Sequence, residues 1–273
     1  MKEINATGMK RAALINDLSC LGKCSLSVVL PIVSCYGIEG VALPTAVLST
    51  HTTGFDGYVA HDMTRQMRDF AAHWKSIHAQ FDCIYTGYFA SLEQISFAEE
   101  FIRDFGRDDT LIIVDPVMGD NGALYDGFTP QHVAAMRRLC EKADVITPNF
   151  TEAAFLSGLS MDADGAAMLD ALKGSDVIIT GVHRGDEVGY LARLDGERAE
   201  FFRPWESTVT HGTGDVFTAA LCGELMNGAT RRAAFAAAAT LCDECIRETA
   251  RRPGHWYGLA FEAVIRRKMI KLR

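Results

Sequence analysis

The run Thr110-Leu111-Ile112-Ile113-Val114 constrains this chain more than any other stretch. Almost every residue in it is β-branched or leucine, and no polar residue alternates with them. A strand with one face in water alternates; a continuous apolar run reads as a parallel strand covered on both faces. The run ends at Asp115-Pro116, and ligand sites in parallel sheets lie beyond the strands' carboxyl ends. Further strand-like runs, less purely apolar, occur over 11–17, 41–44, 81–86, 144–147 and 175–181. Helical patterns are predicted between them over 25–36, 61–77, 91–105, 129–142 and from 151 onward. Ser91, with Gln94 three residues later, is a capping box at one helix start. Strand and helix alternate along the chain, which predicts an α/β fold: a mostly parallel sheet with helices on both faces. Asp195-Gly196, between two apolar runs, predicts a late antiparallel hairpin. No repeat, low-complexity segment or linker divides the sequence. The expectation is a single domain over 1–273, with residues 1–10 flexible.

The net charge is −8 over 273 residues, which argues against a nucleic-acid partner or an anionic membrane surface. No run approaches the ~18 apolar residues of a membrane span. The first ten residues lack the apolar region of a signal peptide, so a cytoplasmic protein is expected. The eight cysteines are expected to be reduced, mostly as core residues. Cys242 and Cys245 form a C-x-x-C inside an alanine-rich helical run. No second pair accompanies them, so they too read as core rather than as metal or redox groups.

Chemistry concentrates at Thr210-His211-Gly212-Thr213-Gly214-Asp215-Val216-Phe217. The spacing of Val216, Ala220, Leu221 and Leu225 predicts a helix opened by the glycine turn. Unpaired N–H groups at such a helix start, together with its dipole, favour an anion such as a phosphate. Asp215 is out of place beside an anion. It reads either as a general base for a hydroxyl attacking a phosphoryl group or as a carboxylate favouring the helix dipole. Asp17, Asp115, Asn149 and Glu152 fall at other strand ends. Acids gathered at one sheet edge repel one another unless a hard cation relieves them, and Mg²⁺ is commonly held by one or two carboxylates plus substrate phosphates. Glycines for phosphate and acids for Mg²⁺ together suggest phosphoryl transfer. The segment 117–128, with three glycines and Asp120, reads as a mobile lid.

These motifs carry a resemblance. Gly212-Thr213-Gly214-Asp215 resembles the anion-hole and catalytic motif of ribokinase-superfamily small-molecule kinases. Val114-Asp115-Pro116-Val117-Met118-Gly119-Asp120 and Thr147-Pro148-Asn149-Phe150-Thr151-Glu152 resemble the D-P-V-x-G-D and T-P-N-x-x-E motifs of its vitamin-kinase branch. Ser49-Thr50-His51-Thr52 and Thr86-Gly87-Tyr88 resemble the S-N-H-T and T-G-Y segments of pyridoxal kinases. The motifs occur in order and cover nearly the whole chain.

The resemblance implies a ribokinase-like fold that transfers the ATP γ-phosphate to the 5′-hydroxymethyl of pyridoxal, pyridoxamine or pyridoxine, in vitamin B6 salvage. It implies Asp215 as the base and Gly212, Thr213 and Gly214 as the anion hole. Asp115, Thr147, Glu152 and Thr180 would surround ATP, with Asp115, Asn149 and Glu152 around Mg²⁺. His51, Thr52 and Tyr88 would line the vitamin pocket, with Asp120 in the lid. Members are commonly homodimers, and some need K⁺. Where pyridoxal kinases often have Ser-His after the first strand, this chain has Asp17-Leu18, which places an acid against the ring's polar substituents. The alternatives are the sister hydroxymethylpyrimidine (phosphate) kinases, a sugar kinase, and a vitamin- or nucleotide-binding regulator without catalysis. Sugar kinases often carry an added strand lid, for which the direct passage from first strand to helix leaves no room.

Overall fold

The computed structural model describes residue 5, residues 8–205 and residues 211–271. Residues 1–4, 6 and 7 lie outside it, and with them most of the expectation for the first ten residues. In chain order the elements are β1 (Arg11–Leu21), α1 (Leu26–Cys35), β2 (Glu39–Thr50), β3 (Ala60–Asp62), α2 (Thr64–Ser76), β4 (Cys83–Thr86), α3 (Leu92–Phe105), β5 (Leu111–Val114), β6 (Gly119–Asp120), β7 (Ala123–Leu124), α4 (Pro130–Cys140), β8 (Val145–Ile146), α5 (Phe150–Ser157), α6 (Gly165–Ala171), β9 (Asp176–Arg184), β10 (Glu187–Leu194), β11 (Glu197–Pro204), α7 (Thr213–Met226), α8 (Arg231–Ala250) and α9 (Phe261–Lys271).

All the strands except the β6–β7 pair form one sheet in the order β11-β10-β9-β8-β5-β4-β1-β2-β3. From β9 through β2 the neighbours are parallel. The outer strands β10, β11 and β3 are antiparallel additions. The hairpin predicted at Asp195-Gly196 is the β10–β11 connection.

The period of two along each central strand divides the core into two layers. Ala12 and Leu14, Cys83 and Tyr85, Ile113, Val145 and Ile178 face one side, packed with residues of α1, α7, α8 and α9. Ala13 and Ile15, Ile84, Ile112 and Val114, Ile146, Val177 and Ile179 face the other, packed with α3 to α6 and with Met67 of α2. Because both faces are covered, neither can be polar, which accounts for the unbroken apolar run at β5.

The structure differs from the sequence expectations in four places. β1 does not end at Asp17 but runs on to Leu21, with Leu18 and Ser19 paired to Val47 and Leu48 of β2. β2 in turn runs through Pro44 to Thr50, and β3 pairs along its outer side. An added edge strand therefore exists where the sequence left no room for one. The first strands outlast their apolar runs because backbone pairing with a neighbour, not side-chain pattern, holds their polar ends. The short helix α6 was not anticipated. The cysteines follow the expectation: five are core residues, Cys20 and Cys35 are exposed, Cys24 is half-buried, and all eight are free thiols. Among the described residues no helix is long and apolar enough to cross a membrane.

The capping box at α3 extends into a larger junction. Ser91 accepts the Gln94 N–H at 3.3 Å, but the Gln94 side chain accepts from Ala90 N rather than from the cap residue itself. Its amide nitrogen lies 2.9 Å from the Thr45 carbonyl and from Thr64 Oγ1, and 3.2 Å from Asp62. One fully buried amide thus joins α3, β2, β3 and the start of α2. Replacing it leaves the buried Thr45 carbonyl without a partner, at a cost of about 1–3 kcal/mol, and removes the part-buried bonds to Ala90, Asp62 and Thr64. Gln94→Ala is expected to lower the unfolding free energy by roughly 2–3 kcal/mol, read as a lower urea midpoint with an unchanged slope.

Candidate active site

β2 and β4 flank β1 on opposite sides, so the order of progress through the sheet reverses at β1 and β4. The crevice beyond the carboxyl ends of strands at such a switch point is the expected ligand site. The motif residues gather there.

α7 begins on this crevice. Gly212 is its N-cap, with φ +79°, and a Cβ at that position would meet the Lys23 carbonyl oxygen at 2.3 Å. Both the left-handed backbone and the close approach require glycine. The N–H groups of Thr213, Gly214 and Asp215 open the helix, so they are its unpaired donors. Thr210 lies outside the described residues. A Cβ on Gly214 would stand 3.8 Å from Asp115 Oδ2, so the glycine turn and the end of β5 face each other closely.

Asp215 sits in the first turn of α7. Burial is the main cause that lifts its carboxyl to about 6; hydrogen bonds from the Ser25 N–H and the Asn16 side chain hold it down, and Asp17 pushes it up. Asp17 is itself buried, which raises it. Ser25, the Ser19 hydroxyl at 3.2 Å and the charge of His51 oppose that rise. Burial likewise raises Asp115, with Glu152 and Asp215 adding like charge. It also raises Glu152, against backbone hydrogen bonds from Asn149, Met118 and Gly119. The strand-end acids are therefore one electrostatic group.

Asn149 and Glu152 form a reciprocal cap on α5. Asn149 Oδ1 accepts the Glu152 N–H at 2.9 Å, and Glu152 Oε2 accepts the Asn149 N–H at 2.8 Å. Glu152 Oε1 takes the Met118 N–H, and Asn149 Nδ2 donates to the Gly119 carbonyl at 2.8 Å. Through these last two bonds the same pair of side chains fastens the segment 117–128, in which β6 and β7 form a small hairpin. Asp120 is exposed at its tip. Tyr125 and Phe128 form an edge contact, and Phe128 in turn reaches Tyr88, with ring centroids 6.1 Å apart.

His51 is buried. Its Nε2 is 3.2 Å from the Tyr257 carbonyl, its ring lies between Phe55 and His211, and its Nδ1 has no protein partner. Tyr88 is half-buried, and Asp17 is among the charges acting on its phenol. Thr52 is exposed on the loop after β2. Thr147 is buried with its hydroxyl bonded to Thr218 at 3.1 Å, turned towards α7. Thr180, half-buried in the middle of β9, donates its N–H to the Pro148 carbonyl. Sequence reasoning missed Asn16 and Ser25. Both are short polar residues beside β1's end, and nothing in their spacing marks them. Ser25, with φ +58°, points its N–H at Asp215.

A helix N-terminus open to an anion, a raised carboxyl in its first turn and an acid row at the switch point of a mostly parallel sheet define a small-molecule kinase with the ribokinase-like α/β fold. The chain belongs to the phosphomethylpyrimidine kinase family, whose model matches residues 30–260. A Bacteroides thetaiotaomicron protein provisionally named a phosphomethylpyrimidine kinase, in a crystal form with pyridoxal, is 38% identical with a TM-score of 0.88, covering 95% of each chain. Pyridoxal kinase from Lactobacillus plantarum is 32% identical with a TM-score of 0.87, over 94% of this chain and 95% of that one. Pyridoxine kinase of Bacillus subtilis is 33% identical over 62% of this chain and 65% of its own length.

The raised carboxyls carry a stability cost of definite sign. A group whose folded pKa lies above its unfolded value stabilises the fold fully below the unfolded value. That contribution is lost as pH rises through the folded value. For Asp115 and Glu152 the loss begins above the ordinary carboxylate range. Without nucleotide or metal, Asp115→Asn is expected to raise the melting temperature, and by more at pH 8 than at pH 5. Equal shifts at the two pH values would contradict the repulsion.

Proposed function

We propose that this chain transfers the γ-phosphoryl group of ATP to the 5′-hydroxymethyl of a B6 vitamer, with Asp215 removing the hydroxyl proton. The observation that carries this reading is the placement of Asp215. It is half-buried at the N-terminal turn of α7, beside unpaired N–H donors, with a carboxyl raised to about 6 by desolvation. A base with that value is ionised at neutral pH yet basic enough to accept a proton in the transition state. The N–H groups of Thr213 and Gly214 receive the charge that develops on the transferring phosphate.

Mg²⁺ accompanying ATP fits the donor set at Asp115, a buried oxygen ligand under like-charge pressure from Glu152 and Asp215. Glu152 and Asn149 fit behind it through water, because their side-chain oxygens already accept backbone N–H groups. Among the described residues no three His, Cys, Asp or Glu side chains are grouped to hold a metal alone. Phosphate and water oxygens therefore complete such a site. When bound, the ion neutralises phosphate charge.

Asp17, His51 and Tyr88 surround the acceptor side. The presence of pyridoxal in a crystal of the Bacteroides relative supports a pyridine acceptor. The second reading, hydroxymethylpyrimidine or its phosphate as acceptor, is favoured by the family model that spans 30–260. A coupled ADP-release assay with pyridoxal, pyridoxamine, pyridoxine and hydroxymethylpyrimidine separates the two. Preference for the pyrimidine in kcat/KM would reject the vitamer reading.

Asp215→Asn is expected to lower kcat by roughly 10²–10⁴-fold while ATP still binds. In the unsubstituted enzyme kcat should fall as pH drops below about 6, because the base is then protonated. Near-normal turnover of folded Asp215→Asn would remove the base assignment. Asp17→Ser is expected to change the pyridoxamine-to-pyridoxal ratio of kcat/KM, since an acid against the ring favours the added amine. An unchanged ratio would place Asp17 outside ring recognition.

A further inference from the structure

The segment 51–59 carries the chain from β2 to β3 without helix or strand. Its backbone is tied at both ends. The His51 N–H donates to the Leu21 carbonyl at 3.2 Å, and the Ser49 N–H donates to the Val59 carbonyl at 2.8 Å. Between those ends the loop rests on rings. Gly54 has φ +77°, and a Cβ there would stand 2.8 Å from the Trp256 indole. Phe55 lies against the same indole, with ring centroids 4.7 Å apart, and meets the His51 ring edge-on at 4.9 Å.

The support for those rings comes from the far end of the chain. Trp256 and Tyr257 belong to the turn between α8 and α9. The Tyr257 carbonyl accepts the Lys23 N–H at 3.0 Å and lies 3.2 Å from His51 Nε2. A carbonyl only accepts, so Nε2 carries the proton. His51 is thus held at its ring by Tyr257, while Trp256 holds the loop that follows it. The His51 ring lies 5.8 Å from that of His211, the residue before the Gly212 cap of α7. The loop, the C-terminal turn and the start of α7 therefore meet on the acceptor side.

We propose that Trp256 is a specificity-determining residue for the acceptor: its indole seats the loop 51–59 and so fixes His51 at the wall of the acceptor pocket. The inference rests on the reading that the acceptor lies beside His51. A loop without its own ladder of backbone bonds keeps one position only where side chains hold it, and ordering it costs entropy. With the indole in place that ordering precedes binding, and the acceptor meets a preformed wall. Without the indole the acceptor itself must order the loop, so its binding weakens while the start of α7 is unchanged. The nucleotide side is built from other elements, the end of β5 and the start of α5. Trp256 is 40% exposed, so little core packing depends on it.

Trp256→Ala removes the indole. With ATP and pyridoxal, KM for pyridoxal is expected to rise by about fivefold or more, the worth of one or two aromatic contacts. Both kcat and KM for ATP should change by less than about twofold. Calorimetric titration with pyridoxal alone should show Kd weakened by the same factor as KM. Trp256→Phe keeps a ring against Gly54 and Phe55, and should bring the pyridoxal KM back to within about twofold of the unsubstituted value. Gly54→Ala drives a methyl group into the indole from the loop side and should raise the pyridoxal KM in the same way. Added to Trp256→Ala, it should cost less than about a further twofold, because both changes act through one contact. An unchanged pyridoxal KM in folded Trp256→Ala, or an equal rise in KM for both substrates, would overturn the inference. If the unsubstituted enzyme phosphorylates hydroxymethylpyrimidine and no B6 vitamer, the vitamer reading has failed. The same split in KM, measured with the pyrimidine, then decides the role of Trp256.

Discussion

Four carboxylates, Asp17, Asp115, Glu152 and Asp215, are held at one end of the sheet, each pushed above its ordinary range chiefly by burial. They gather there because β1, the end of β5 and the starts of α5 and α7 converge on the crevice where the sheet order reverses. Desolvation and like charge both disfavour the ionised cluster. What offsets them is local: the N–H groups of Met118, Asn149 and Ser25, and the Asn16 amide. The row is therefore a place where the fold stores unfavourable electrostatics, and a bound polyphosphate with its cation would relieve it. Perturbed acids concentrated in this way are a mark of functional sites.

The two apolar layers make that storage tolerable. Each central strand splits its side chains between the layers, so the sheet is anchored from both faces over most of its length. The polar strand ends then project from a rigid body. Asp115 follows β5 directly, and its N–H is fixed to the Thr86 carbonyl at 2.9 Å. Packing thereby positions the chemistry.

Asn149 and Glu152 show how one motif can serve two structural ends. Their reciprocal cap starts α5, and the same side chains grip the backbone of Met118 and Gly119. The segment 117–128 is thus coupled to the helix start that lies beside the acid row. The aromatic path Tyr125, Phe128, Tyr88 connects its outer end to the acceptor side. Any change in the position of the hairpin would be felt at both the nucleotide and the acceptor ends of the crevice.

The α/β class, the parallel core, the β10–β11 hairpin and the row of strand-end acids were all legible in the sequence. Each depends on local chemistry: a continuous apolar run can only be a strand buried on both faces, and a glycine turn before an apolar helix exposes N–H donors. Gly212 through Asp215, Asp115 and the Asn149–Glu152 cap belong to this group. The full lengths of β1 and β2 and the presence of β3 did not, because hydrogen bonding to a neighbouring strand holds polar residues that no periodicity marks. Asn16 and Ser25 were invisible for a related reason. Their partners lie about 70 and 190 residues away along the chain, at Tyr88 and Asp215. Only the tertiary structure could decide that an unremarked asparagine in the middle of the first strand would accept the Tyr88 N–H just beyond the fourth.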